Sequence, residues 1–269
     1  MSLFDSLLRN TATRLGAYDK SRLHVISSSY GNDSLALVQW AHDQGLTNVH
    51  VVFIDTGWAA DGWLDRVCVC EAWVRSIGFT AHRITPAVQF EELITMRKGF
   101  PNQRYQWCSG QLKGIPFLMW IDDLDPEGEA IVMIGKRREE STERVDTPEW
   151  VIASEYHGER IVRHPLYLHS EQMRDALLAR AGFEPLSHRS QECAPCVNAN
   201  RGDFMLLGER EIARVECLEF EVDKTMFRPK RHMGATGIRQ VVRWARSPRG
   251  KFDKDDYAPL TCGSGYCGY

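Results

Sequence analysis

Leu23-His24-Val25-Ile26-Ser27-Ser28-Ser29-Tyr30-Gly31-Asn32-Asp33-Ser34-Leu35-Ala36-Leu37-Val38-Gln39-Trp40-Ala41 decides the fold. The run from Leu23 to Ile26 reads as a short buried strand, and that from Leu35 to Ala41 as an apolar helix. Between them lies a turn of small hydroxyl residues and one Gly, ending in an Asp33-Ser34 pair suited to cap the helix. Such a turn leaves backbone N–H groups free beside the positive end of a helix, which is a phosphate-binding arrangement. Lys and Thr do not follow the Gly in Walker spacing, and GxGxxG is absent, so neither an ordinary P-loop nor a dinucleotide turn is present. Taken alone, the same residues also read as a well-capped turn of any α/β protein.

Downstream, Val49–Ile54 is a second apolar strand ending in Asp55-Thr56-Gly57-Trp58. Two strands separated by a helix predict a right-handed crossover and a parallel sheet. Acidic and hydroxyl residues at a strand's carboxyl end sit where open α/β sheets bind ligands, or else form a strand-ending Asx turn. A helix over 64–74 and a third strand, Thr80–Ile84, follow; Cys68 and Cys70 face different sides of that helix and read as ordinary thiols. Residues 97–116 form a basic loop that enters a helix at Cys108, with Lys113 beyond it. A cation-flanked Cys near a helix start is a stabilised thiolate, although Cys108 beside Trp107 also reads as a core residue. A fourth strand at 130–135 leads directly into Lys136-Arg137-Arg138-Glu139-Glu140-Ser141-Thr142-Glu143-Arg144. This run is a solvated helix face by composition, but its position after a buried strand and Gly135 sets it at the edge of the first turn. A short strand near Val162–Leu166 precedes a helix opened by Ser170 with Glu171 in its first turn.

Glu192-Cys193-Ala194-Pro195-Cys196 is the plainest cofactor signal, since CxxC lets two sulfurs share one metal or cluster. Zinc, an iron–sulfur cluster and a redox pair all remain open on that motif. Cys217 is one candidate for a further thiolate at that site, although its place in an apolar helical run reads rather as core. Residues 226–252 interleave Arg228, Lys230, Arg231, Arg239, Arg243, Arg246, Arg249 and Lys251 with Trp244 and Phe252, which suits nucleotide phosphates, a polynucleotide groove or a solvated surface. The chain ends in a Gly-rich stretch carrying Cys262 and Cys267. An amphipathic helix is predicted near Leu3–Arg9.

The chain of 269 residues is long enough for a large core, and its net charge of −3 gives no global sign of nucleic-acid binding. Eight cysteines without a signal peptide or an 18-residue apolar run point to metal or redox chemistry in a soluble, cytoplasmic protein with no membrane contact.

Ser29-x-Gly31-x-Asp33-Ser34 resembles the Ser-Gly-Gly-x-Asp-Ser pyrophosphate loop of the adenine nucleotide alpha-hydrolase superfamily, the PP-loop ATP pyrophosphatases, with Tyr30 in place of a Gly. Val25-Ile26-Ser27-Ser28-Ser29-Tyr30-Gly31, Asp55-Thr56-Gly57-Trp58 and Gly135-x-Arg137-Arg138-Glu139-x-Ser141-x-x-Arg144 are similar to stretches of phosphoadenylylsulfate (PAPS) reductases. Cys108-x-x-x-x-Lys113 resembles a segment of the superfamily's reductases and sulfurtransferases. The likeness spans roughly residues 20–220.

It implies an α/β fold of the PP-loop, HUP-like kind: a mainly parallel five-stranded sheet with helices on both faces, and a Cys-rich C-terminal portion closing the site. Residues 1–185 would form the nucleotide-binding part, and 186–269 the region with CxxC and a mobile Cys tail. Ser27, Ser28, Ser29, Gly31, Asp33, Ser34, Asp55, Thr56, Gly57, Arg137, Arg138, Ser141 and Arg144 would bind the nucleotide. Cys108, Cys193, Cys196 and Cys262 would hold a 4Fe–4S cluster, while Asp33, Lys113 and Cys267 would serve catalysis. The terminal thiols resemble the reductases' Glu-Cys-Gly end only in Cys262-Gly263.

Two activities follow from the resemblance. In one, ATP, with magnesium as a candidate companion ion, activates a DNA or tRNA acceptor with release of pyrophosphate. Sulfur from a donor such as a cysteine desulfurase then enters, as in DNA phosphorothioation sulfurtransferases. In the other, a thiolate attacks the sulfate of APS or PAPS, and thioredoxin assists release of sulfite. A non-catalytic nucleotide-binding module with a structural metal is the third alternative.

Overall fold

The computed structural model describes residues 19–227 and 237–247. Leu3–Arg9, Arg228, Lys230, Arg231, Arg249, Lys251, Phe252, Cys262 and Cys267 lie outside the described residues.

A sheet of six strands organises the chain: β1 (His24–Ser27), β2 (Val49–Ile54), β3 (Thr80–Ile84), β4 (Ile131–Met133), β5 (Trp150–Ser154) and β6 (Arg160–Arg163), in the order β3-β2-β1-β4-β6-β5. Five pair in parallel, which matches the mainly parallel expectation. The count of five is corrected to six by β5, which pairs antiparallel with β6 at the edge through a register shift between Val151 and Ser154. Strand order reverses between β1 and β4, so the carboxyl ends of these neighbours open a crevice where α/β sheets take their ligands.

Both faces of the sheet are covered, as side-chain alternation along the central strands requires. Ile26, Val51, Phe53 and Met133 pack on one face with α1 (Asn32–Asp43), α2 (Trp63–Ser76) and α5 (Glu171–Arg180). Val25, Val52, Ile54 and Val132 take the other face, against Phe117 and Ile121. Those two come from α4 (Ile115–Leu124), which continues from a short turn at Trp107–Ser109 through a π-helical segment at Gly110–Gly114. The remaining helices, α3 (Phe90–Arg97), α6 (Arg201–Leu206), α7 (Glu209–Val222) and α8 (Ile238–Arg246), enclose a separate apolar cluster that also takes in Trp58 and Leu112.

Local details depart from the sequence reading in three places. No side chain caps α1: its N-cap is Gly31, while Asp33 turns to Arg137 and the Ser34 hydroxyl donates to Gly31 O at 3.1 Å. Cys217 is exposed on α7 rather than in the core. Arg239 of the basic stretch is neutralised by Glu216 and Glu209, and Arg246 donates to Leu207 O, so these two cations are committed to the fold. The Ser170 cap of α5 is as expected, its hydroxyl accepting from Met173 N–H at 3.2 Å.

The β4 exit passes hard against the start of α1. A Cβ on Gly135 would lie 2.8 Å from Asp33 O, a backbone atom that cannot rotate away. Gly135→Ala is therefore expected to lower stability by about 1–3 kcal/mol through overpacking. Gly110→Ala, whose Cβ meets nothing within 4 Å, is expected to be neutral or stabilising by up to about 1 kcal/mol. Urea unfolding midpoints measure both, and equal midpoints for the two variants would contradict the close approach.

Candidate functional site

The turn after β1 is tied by its own hydroxyls. Ser28 Oγ accepts from Tyr30 N–H at 3.0 Å and Ser29 Oγ from Gly31 N–H at 3.3 Å, while Ser28 N–H donates to Val52 O. Three amides expected to be open are thus engaged, and Ser27, Ser28 and Ser29 shape the turn rather than line the cavity beside it. Tyr30 holds φ +57°, a left-handed conformation that a Gly would adopt without strain, and its ring is buried 6.0 Å from Phe53. Ring burial offsets a backbone cost of about 1–2 kcal/mol. What the turn presents is the first turn of α1, with Asn32 and Asp33 lining the crevice.

That crevice is a cavity of about 620 Å³. On one wall, Arg137 forms a buried ion pair with Asp33. Burial pushes the Asp33 carboxyl up, against the pull of Arg137, then of Arg174 and Arg144. Glu140 lines the same wall and pairs with buried Arg144; burial, and then the Asp33 charge, push its carboxyl up to about 7. The other wall carries Thr56, Cys108, Lys113, Glu192, Cys193 and Cys196. Lys113 Nζ donates to Glu192 Oε1 at 2.6 Å, a buried pair that fastens the π-helical segment to the residue preceding Cys193.

The CxxC turn is held mainly by backbone contacts. Ala194 N–H donates to Trp58 O at 2.8 Å, and Trp58 Nε1 donates to Pro195 O at 2.9 Å. The Arg214 guanidinium stacks 3.9 Å over the Trp58 ring and donates to Ala194 O. Asn198 Nδ2 reaches Gln106 Oε1 at 3.2 Å, bringing the end of the turn to the segment before Cys108. Across the mouth, Asn32 and the Leu186 backbone exchange two hydrogen bonds of 2.9 Å, so α1 supports residues 186–190 as a rim.

Of the residues singled out in the sequence, Asp33, Thr56, Arg137, Lys113, Cys108, Cys193 and Cys196 meet on this one cavity. Others do not reach it. Asp55 accepts from Gly57 N–H in an Asx turn. Arg138 donates to Thr147 O and stacks 5.0 Å from the Tyr167 ring. Ser34 is buried in α1, and the buried Ser141 hydroxyl has no partner among the described residues. Arg174 and Glu140 line the cavity without having been assigned a role in the sequence; a basic residue on the buried stripe of the α5 helix, three and four places before Leu177 and Leu178, was the available signal for Arg174.

The thiol chemistry suits a soft metal or cluster. Among the described residues, however, no three His, Cys, Asp or Glu side chains are gathered closely enough to hold a metal ion. Cys193 and Cys196 share a turn and Cys108 reaches the same wall from a separate segment, so the described residues do not by themselves form a closed ligand set. Burial pushes the Cys193 thiol up to about 12, against the pull of Lys113.

No helix among the described residues is long and apolar enough to cross a membrane. The sequence profile described as the phosphoadenosine phosphosulfate reductase domain matches residues 23–192. No curated protein sequence matches the chain. Among solved structures, NMN synthetase from Francisella tularensis is similar at 12% identity over 90% of each chain, with a TM-score of 0.48. The U34-tRNA thiolase NcsA from Methanococcus maripaludis, solved with its 4Fe–4S cluster, is similar at 12% identity over 90% of this chain and 78% of its own, with a TM-score of 0.48. An NH3-dependent NAD synthetase from Campylobacter jejuni is similar at 13% identity over 66% of this chain and 70% of its own, with a TM-score of 0.39.

Thiol reactivity of metal-free protein checks the wall geometry. A thiol at about pKa 12 is thiolate to roughly one part in ten thousand at pH 8. Iodoacetamide at pH 8 is expected to label exposed Cys68 and Cys217 first. Cys193, and Cys70 whose thiol burial likewise pushes to about 12, are expected to lag at least tenfold. Labelling of Cys193 as fast as Cys217 would contradict the burial described.

Proposed function

Because the chain belongs to the phosphoadenosine phosphosulfate reductase domain family, we propose that it binds an adenine nucleotide in this cavity and uses it for sulfur transfer. The observation that carries the proposal is the two-sided cavity: a helix N-terminus with Arg137 on one wall, three thiols with Lys113 on the other. A phosphate at the first turn of α1 would meet backbone N–H groups, the helix dipole and a guanidinium fork. Arg137 would then exchange Asp33 for phosphate oxygens, leaving Asp33 as a negative group suited to a magnesium ion.

In the reading we favour, the nucleotide is ATP. An oxygen of a nucleic-acid acceptor, DNA or tRNA, attacks the α-phosphorus and pyrophosphate leaves. A sulfur nucleophile from a donor such as a cysteine desulfurase then attacks the activated centre, and AMP departs with the acceptor oxygen. Lys113 would stabilise charge developing on the phosphates, with Glu192 holding it in place until the nucleotide arrives. Ser27 to Ser29, Gly31 and Ser34 would act by fixing the turn, and Asp55, Gly57, Arg138, Ser141 and Arg144 by supporting the walls. Division of the chain near residue 185 into a nucleotide-binding part and a cysteine-rich part belongs to the same proposal.

The family match favours a second reading. A cysteine thiolate, with Cys267 as the candidate, attacks the sulfur of APS or PAPS, and the nucleotide leaves with the bridging oxygen. Thioredoxin's thiolate then attacks the cysteine sulfur, releasing sulfite and leaving a mixed disulfide that a second thiol resolves. In either case a 4Fe–4S cluster held by Cys108, Cys193, Cys196 and Cys262 would supply soft-sulfur or electron chemistry beside the nucleotide. The three thiols gathered on one wall support that assignment.

Anaerobically purified protein incubated separately with ATP plus nucleic acid and with PAPS or APS discriminates the readings. Pyrophosphate from ATP is expected, with loss of at least tenfold in Asp33→Ala; sulfite from PAPS or APS would move the assignment to the reductase, and neither product would overturn both. Iron and acid-labile sulfide are expected in the parent and absent from Cys193→Ser. Zinc without labile sulfide would sink the cluster but spare the ligand set, whereas full metal loading in Cys193→Ser would sink both.

A further inference from the structure

Arg174 sits where α5 should carry an apolar side chain. Leu177 and Leu178, three and four residues on, face the core, and Arg174 shares their stripe. Arg174 is 7% exposed as a residue and lines the cavity beside Arg137. From behind it is held by its own helix: Nε and Nη2 donate to Asp175 Oδ1 at 2.8 and 2.6 Å, and Nη2 also to Glu171 Oε1 at 3.0 Å. Nη1 has no hydrogen-bond partner among the described residues. Glu171 is largely exposed, so a surface rotamer could have kept a carboxylate partner without desolvating the cation. Withdrawing most of a guanidinium from bulk water while one nitrogen opens only onto the cavity is unfavourable unless a group there takes its donors.

Arg137 and Arg174 both act on the carboxyl of Asp33 at the start of α1. A single phosphate seated on that helix is already accounted for by the N-terminal amides and the Arg137 fork. A second guanidinium on the same wall matches a second anionic group. We infer that Arg174 reads this second group, so that the cavity selects nucleoside phosphoanhydrides, whose far group is phosphate or sulfate, over nucleoside monophosphates. The inference rests on the nucleotide reading of the cavity. It makes Arg174 a specificity-determining residue, held in a pre-aimed rotamer by Glu171 and Asp175, whereas Arg138, the neighbour of Arg137 in sequence, is spent on Tyr167 and Thr147.

Calorimetric titration of parent, Arg174→Met and Arg174→Lys with ATP, adenosine 5′-phosphosulfate and AMP tests it, with melting curves recorded for each protein. Arg174→Met is expected to bind ATP, adenosine phosphosulfate or both at least tenfold more weakly while AMP affinity stays within twofold. Loss confined to one anhydride identifies its far group as the one read. Arg174→Lys keeps the buried cation and stem but not the fork; it is expected to lose at least threefold for the same ligand, and it carries the test if the Met variant does not fold. Unchanged anhydride affinity in Arg174→Lys and in a folded Arg174→Met, or an equal loss for AMP, would overturn the assignment. A parent that binds none of the three would overturn the nucleotide reading itself, and the inference with it.

Discussion

The buried pair of Asp33 and Arg137 joins the carboxyl ends of the two parallel strands between which the strand order reverses. Asp33 stands in the first turn of the helix after β1, and Arg137 in the segment leaving β4. Two ions withdrawn from water at one place are tolerable only with close geometry, and removing one partner from such a pair typically costs about 3–5 kcal/mol. Gly135 provides that geometry, since no side chain fits between the β4 exit and the α1 backbone. The crevice therefore has a fixed floor and a charged wall before any ligand enters.

The opposite wall follows the same logic. Lys113 and Glu192 are buried partners from segments far apart in sequence, and their bond sets the CxxC turn against the π-helical segment that follows Cys108. Trp58, just beyond β2, binds that turn through its backbone oxygen and its indole N–H, with Arg214 stacked on its other face. Each wall thus holds a cation already matched to a carboxylate. A polyanion entering the cavity can take over either cation without first stripping it of bulk water, which lowers the reorganisation needed for binding.

Much of this was legible in the chain. β1, the turn, α1 and the Asp-Thr-Gly strand end announce themselves through apolar runs broken by small residues, and the charge run after Gly135 could only fall beside them in a parallel topology. β5 was missed because Trp150–Ser154 is a half-exposed edge strand whose pairing slips between Val151 and Ser154, so neither a buried run nor a clean alternation marks it. The capping role expected of Asp33 failed because a guanidinium brought by the fold outcompetes a helix N–H for its carboxylate. Arg137 and Arg138 are indistinguishable in sequence, and only tertiary placement of Tyr167 separates the one that faces the cavity from the one that does not. Cys217 read as core because it lies in an apolar helical run; its neighbours Val215 and Leu218 are buried, but the helix turns Cys217 itself outward. Arg174 looked like an ordinary helix cation until its burial was seen.

An adenine nucleotide bound as proposed, with its phosphates at the start of α1, would shield the backbone around the crevice. Amide hydrogen exchange followed by mass spectrometry, with and without saturating ATP, tests it most directly. Slowed exchange is expected at 28–35, 137–144 and 186–192, the turn, the Arg137 segment and the rim, with the edge strand β5 unchanged. Slowed exchange confined to other segments, or none anywhere at saturating ATP, would contradict it.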